Sequence, residues 1–396
     1  MTGRAWHYGS PKIRLRGREL MAEAAKAEGA VGRLLRKVEA GVYWLALAPL
    51  AAFLPARLAY RVACWRGDWI LRSSPEKRSE LAANVRQLLG EELSSEEADR
   101  VARDIFRFMS CEAIDVMRLR GRGRSLSKLF EIRGREHLAA ALAGGKGAIL
   151  CSPHFSSHPS AFSVLHASGF SFTTIGRWGW RYDTGVSPAE RRFWEFVYAR
   201  RLERHQQRPR IEPWPGRVRV AVQAAAALRA NGVVSISSDT PPLTDDRPRA
   251  LNVPFLGHEA TLLPGVVTLA QLTGAPVLMA IAYHSADYCH QVLEISPPVP
   301  MDGDTNTAFR RCVAAMDAAI RSHPGEWTQW ETWHLSRLGL LGTAPAAGTS
   351  ADAPATLVED GRLACYLRLA VAGLPLGFLA FDGLADVVAG DGALVS

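Results

Sequence analysis

An α/β fold with a mainly parallel central sheet flanked by helices, and an N-terminal helical membrane-associating region before it, is what this sequence predicts. Three observations lead there. From about residue 130 to 300, short apolar runs alternate with helical runs, the pattern of strands buried under helices on both faces. Ahead of them stand two long helical patterns with N-terminal capping signals. Ahead of those, residues 40–56 ("AGVYWLALAPLAAFLPA") carry no charge and are flanked by arginine and lysine.

Taken in order, residues 1–39 form a basic, polar N-terminal segment, which is not read as a secretory signal because its apolar stretch comes late and lacks a small-residue cleavage site. Residues 40–125 are the helical membrane-associating region. The uncharged run within it falls short of the ~20 residues of a usual spanning helix, and Pro49 and Pro55 interrupt it. Arg33, Arg36, Lys37, Arg57 and Arg61 flank it, with Tyr43, Trp44 and Trp65 as interfacial aromatics. It reads as a segment lying in a membrane surface, with a short anchor or a buried core helix as the other readings. "SPEKRSELAANVRQLLG" opens on Ser-Pro and closes on Gly, and "SSEEADRVARDIFRFMSCEAIDVMRL" opens on a capping box; both are predicted helices.

Residues 126–340 are the predicted α/β domain. Its strands are expected at 146–152, 171–176, 232–238, 275–284 and 290–298. "REHLAAALAGG", "RVRVAVQAAAALRANG" and "PGVVTLAQLTGA" are the intervening helices, the last stopped by Thr-Gly-Ala-Pro. Residues 341–396 begin as a Pro- and Ala-rich linker and end in an apolar tail.

The composition narrows the function classes. With 48% hydrophobic and 22% charged residues in 396, the chain can bury a large core. The formal net charge of +8 points to an anionic partner. Six cysteines are scattered without a CxxC pair, which argues against a zinc ribbon or redox motif and for free thiols in a reducing compartment. The segment 190–210 ("ERRFWEFVYARRLERHQQRPR") is basic and aromatic. It suits anionic headgroups; no recognised nucleic-acid motif accompanies it, and nucleic acid is not an expected partner.

The candidate site is "AILCSPHFSSHPSAF", residues 148–162. An apolar run that ends in a turn and delivers a histidine is how such a sheet places a base at its carboxyl edge. His154 occupies that place. His158 follows four residues on, but Phe155 stands where an HExxH zinc motif needs Glu, and no third ligand lies nearby. No metal and no cofactor are expected.

Two further stretches, in order with this one, carry a resemblance. They are "GREHLAAALAGGKGAILCSPHF", with its Gly-Lys-Gly lead into the strand, and "LNVPFLGHEATLLPGVVTLAQLTGAPVLMAIAYH", with its Val-Pro-Phe-x-Gly turn. The ordered set, with "HPGEWTQWETWH" at its end, resembles the lysophospholipid acyltransferase superfamily, and within it the branch of bacterial lipid A late acyltransferases and phosphatidylinositol mannoside acyltransferases. The likeness runs from about residue 40 to that last segment.

The resemblance implies transfer of a fatty acyl group from an acyl carrier protein or acyl-CoA thioester to a hydroxyl or amine of an amphiphilic acceptor. It also implies peripheral or short-anchor attachment to anionic lipid on the cytoplasmic face of a bacterial inner membrane. It assigns His154 as the base and Arg177 as the handler of negative charge, with Ser156 and Phe255 expected beside the substrate. The family's acid, five positions after the histidine, falls here on Pro159. Asp239, at the end of a later strand, is the leading substitute, with His158 as the other candidate. A more nucleophilic acceptor, or a catalytically silent protein that binds a lipid or acyl carrier, would also accommodate the loss.

Overall fold

The computed structural model describes residues 38, 42–51, 53–73, 75–90, 93–119, 130–155, 158–176, 192, 194–200, 202, 210–211, 217–239, 249–286, 288 and 290–330. Within them a six-stranded sheet is covered by helices on both faces. The linker and tail expected at 341–396, and most of the segment 190–210, lie outside the described residues.

The uncharged N-terminal run is not one continuous helix. Tyr43–Leu47 is a π-helical turn and Ala48–Ala51 a single α-turn, and the chain then bends before Ala56. No helix among the described residues is long and apolar enough to cross a membrane. Helix α1 (Ala56–Ser73) follows, then α2 (Pro75–Leu89) and α3 (Ser95–Arg118). The capping box at the start of α3 forms as its sequence requires. Ser94 accepts from the Glu97 amide, and the Glu97 carboxylate accepts from the Ser94 amide.

Helix α1 packs on α3 through small residues, Ala59, Ala63 and Gly67, spaced four apart so that they share one face. A Cβ at Gly67 would stand 2.7 Å from the Arg107 nitrogen and the Phe106 carbonyl oxygen, so only glycine permits this approach. Beside the crossing, Arg107 grips both oxygens of Asp68, at 2.7 and 2.8 Å. The bend before α1 is tied down as well. Tyr43 donates to the Ser110 carbonyl at 2.6 Å, and Arg118 to the Leu54 carbonyl at 2.9 Å.

The strands are β1 (Phe130–Arg133), β2 (Ala148–Ser152), β3 (Phe172–Ile175), β4 (Val233–Ser237), β7 (Val277–His284) and β8 (Gln291–Val299), in the order β1-β8-β7-β2-β4-β3. Parallel pairing joins β2 to β4 and β7, and β3 to β4, while β8 runs antiparallel to β7. All five strands expected from the sequence are present. The central strand β2 is buried throughout, with Ile149 and Cys151 packing into one core and Ala148 and Leu150 into the other.

Helices α4 (Arg135–Ala143), α5 (His158–Ala167), α6 (Arg217–Arg229), α7 (Gly265–Thr273) and α8 (Thr305–Ser322) complete the layers. Between β4 and α7 lies a small antiparallel hairpin, β5 (Leu251–Phe255) and β6 (His258–Leu262). Its two turn residues, Leu256 and Gly257, both have positive φ, as a tight hairpin demands.

Candidate active site

Parallel pairing brings the carboxyl ends of β2, β4 and β7 to one edge of the sheet. Ser152 pairs with Ser237 at the ends of β2 and β4. Two residues further along each chain stand His154 and Asp239, and they meet. The His154 ring Nδ1 lies 2.5 Å from Asp239 Oδ1, and the His154 backbone N–H donates to Oδ2 at 2.8 Å. One carboxylate therefore fixes both the turn and the ring that the turn carries.

Asp239 has a third donor. The indole Nε1–H of Trp327 reaches Oδ2 at 2.7 Å. Trp327 lies in an extended segment after the 3₁₀ turn Pro324–Glu326, and it pairs in antiparallel fashion with Phe155. Thr328 adds two hydrogen bonds from its amide and hydroxyl to the His154 carbonyl, each 2.9 Å. This segment, residues 324–330, is the second wall of the histidine turn. The fully buried Trp327 also meets Phe255 edge-on, with ring centroids 6.0 Å apart.

The electrostatics follow from these contacts. Asp239 is 0% exposed, and burial alone would raise its pKa; the His154 charge and the three donors outweigh burial and hold it below the usual carboxylate range. For His154, burial disfavours the charged ring, but the Asp239 charge and hydrogen bond together raise its pKa above the ordinary value. An ionised Asp239 accepts from Nδ1–H, which leaves the lone pair on Nε2. The His154 side chain is 39% accessible, so the ring is open on one side.

His158 is in the same neighbourhood but makes different contacts. Its ring lies between Phe155 and Phe162, with centroids 5.7 and 4.8 Å away. Burial, then the nearby His154, lower its pKa to about 3, so it is neutral. Its Nε2 has no hydrogen-bond partner among the described residues. The structure thus brings His154, Asp239 and, through Trp327, Phe255 together. It places His158 against aromatic rings and not against Asp239. Arg177 and Ser156 lie outside the described residues.

A second histidine ends the neighbouring strand β7. His284 is buried between two carboxylates, Asp115 at 3.0 Å from Nε2 and Glu326 at 2.8 Å from Nδ1. Glu326 also accepts from the His284 amide at 2.6 Å, and Tyr60 donates to Asp115 at 2.6 Å. Burial opposes protonation, but the two carboxylates prevail and push the His284 pKa up to about 10. This ionic cluster ties α1 and α3 to the residue immediately before Trp327. Sequence reasoning missed Trp327, Glu326, Asp115 and His284. The only signal for His284 was that "VLMAIAYH", like "AILCSPH", is an apolar run that terminates in a histidine. Among the described residues, no group of three or more metal-ligating side chains is arranged to hold a metal ion.

The family model for bacterial lipid A biosynthesis acyltransferase matches residues 32–181. A lipid A biosynthesis acyltransferase of Haemophilus influenzae is 23% identical over 300 residues, covering 75% of this chain and 86% of the relative. Together they support a lipid A acyltransferase-like family for this chain. The stretch matched to that family contains the His154 turn and Pro159, whereas Asp239 and Trp327 lie beyond it. In this chain the carboxylate beside His154 comes from the end of a different strand, and position 159, in the helix that follows, is a proline.

Proposed function

We propose that the chain is an acyltransferase that moves a fatty acyl group from an acyl carrier protein or acyl-CoA thioester to a hydroxyl or amine of an amphiphilic, lipid-like acceptor. The observation that supports this most is the His154–Asp239 pair, closed from behind by Trp327. A histidine whose Nδ1 is held by a buried carboxylate and whose side chain is partly accessible is arranged as a general base.

The proposed steps follow. Nε2 of His154 takes the proton of the acceptor as its oxygen or nitrogen attacks the thioester carbonyl. Asp239 stabilises the imidazolium that forms. Collapse of the tetrahedral intermediate breaks the carbon–sulfur bond, and the proton on Nε2 passes to the departing thiolate. Arg177 is assigned to the negative charge of the donor or oxyanion, and Phe255 and Ser156 to the walls around the substrate. His158, neutral and stacked between phenyl rings, is assigned to packing.

The N-terminal region is proposed to rest on an anionic membrane surface at the cytoplasmic face of a bacterial inner membrane. Support comes from exposed apolar side chains concentrated there, among them Phe53 at 74% and Leu50 at 61%. Residues 1–39, 40–125, 126–340 and 341–396 are retained as the proposed division of the chain.

The test compares lipid extracts by mass spectrometry from cells with and without the gene, complemented by wild type or by His154→Ala. Loss of a general base removes ~10²–10⁴ in rate. An acylated lipid should therefore appear with wild type and be absent with the folded variant. An identical lipid profile in all strains would favour the reading of a silent, lipid-binding relative.

A further inference from the structure

Helix α1 carries a feature that the acyl-transfer site does not use. Arg57, Arg61, Trp65 and Asp68 recur at spacings of four, four and three, so they form one stripe along the helix. The stripe lines a cavity of about 520 Å³ whose opposite wall includes Arg107 of α3 and Tyr288 of the turn after β7. Tyr60 also lines it and at the same time bonds Asp115.

The charges in this cavity are unbalanced. Arg107 is already matched by the bidentate contact to Asp68, and Tyr288 is engaged by Asp104 at 3.2 Å. Arg57 and Arg61 have no ion-pair partner among the described residues. Two guanidinium groups one helical turn apart, lining one concave pocket, suit the oxygens of a phosphate.

The rim of the cavity identifies the source of that phosphate. Trp65, which lines it, is 63% exposed, and Leu58 on the same helix is exposed too. Phe53 and Leu50 stand exposed in the turn just before α1. Among the described residues, the exposed large apolar side chains other than Met109 and Phe196 all fall between residues 38 and 65. A cationic cavity bordered by outward-facing apolar and indole side chains matches the boundary between lipid headgroups and acyl chains.

We propose that this cavity binds the phosphate of an anionic membrane lipid, with Arg57 and Arg61 as its ligands and Trp65 at the headgroup level. The proposal deepens the membrane placement given above and rests on that placement, not on the chemistry at His154.

The experiment uses the full chain in the His154→Ala form, so that turnover plays no part and failure of the acyltransferase reading leaves the result intact. Dihexanoyl phosphatidic acid and inorganic phosphate are titrated calorimetrically, and co-sedimentation is measured with vesicles of phosphatidylglycerol in phosphatidylcholine. Two charge-matched double variants are compared, Arg57→Gln/Arg61→Gln in the cavity and Arg72→Gln/Arg86→Gln elsewhere on α1 and α2.

The expected result is saturable binding of the short-chain lipid, tighter than phosphate. The cavity variant should lose about tenfold or more in both lipid assays, and the control variant should lose clearly less. Equal losses in both variants would reduce the effect to diffuse surface charge and overturn the proposal. Binding of phosphate as tight as that of the lipid would make this a free-phosphate site and overturn the lipid assignment. Wild-type lipid binding by the cavity variant would also sink it. Circular dichroism of each variant verifies that the α1–α3 pair is folded before binding is compared.

Discussion

His154 receives its orientation from a carboxylate 85 positions away, and this sets what single substitutions should do. Asp239→Asn keeps the shape of the side chain but removes its charge. The Asp239 charge and bond raise the His154 pKa, so the variant's ring should titrate lower than wild type by NMR, and acyl transfer should fall by ~10²–10⁴. Trp327→Phe removes one of the donors to the carboxylate and should cost less. His158→Phe extends an aromatic stack already present and should leave transfer unchanged; a loss matching that of Asp239→Asn would reassign the orienting role. His154 was legible in the sequence because an apolar strand ending at a turn advertises what it delivers. Asp239 was legible only as a charge at a strand end. Its identity as the partner follows from the β2–β4 register, which aligns Ser152 with Ser237 and so sets 154 level with 239. No local pattern encodes that register. Trp327 was hidden in a quoted motif because nothing in "PGEWTQW" tells which buried group an indole will meet.

Among the elements, the five strands that were expected carry the longest apolar runs; β2 is buried at every residue and β7 at all but Tyr283. The strands that were missed have physical reasons. In β1, "FEIR" is four residues long with alternating exposure, and its Glu131 and Arg133 pair on the outer face. In the β5–β6 hairpin, Pro254 sits in a strand, which argues against a strand assignment in a central sheet but is permitted at an edge. The α1–α3 crossing carries a prediction of its own. Gly67→Ala puts a methyl 2.7 Å from the backbone of α3, so the helices must part. Overpacking of this kind costs ~1–3 kcal/mol, read as a lower urea midpoint. Gly265→Ala is the matched control. Its nearest neighbour is the Ile236 methyl at 3.8 Å and its φ is ordinary, so it should be neutral or stabilising by ~0.4–1 kcal/mol. Equal behaviour of the two variants would show that the close crossing is not a constraint.

Across the whole molecule, the buried Asp115–His284–Glu326 cluster joins the helical region to the α/β domain. Its pH dependence has a definite sign. The His284 pKa is raised in the folded chain to about 10, from an ordinary value near 6.5 when unfolded. Its stabilising contribution is therefore complete below about 6.5 and is lost as pH climbs through about 10. Urea midpoints of wild type should fall across that window, and the slope should be shallower in His284→Gln. A wild-type stability that is flat or rises from pH 6.5 to 10, with the variant parallel to it, would contradict a protonated His284. None of this cluster was visible beforehand, because three titratable residues at 115, 284 and 326 declare themselves a unit only when the chain is folded.

The closure of the histidine turn by residues 324–330 has a consequence for how the protein is made. His154 and Asp239 are synthesised first, and the indole and threonine that seal them come only at 327 and 328. A nascent chain emerging from the ribosome can pair β2 with β4 long before that last stretch leaves the exit tunnel. Until it does, Asp239 lacks one donor and the His154 carbonyl lacks two. The fully braced His154–Asp239 pair thus arises only after residue 328 has cleared the tunnel, so a growing chain cannot carry the finished pair ahead of the wall that encloses it.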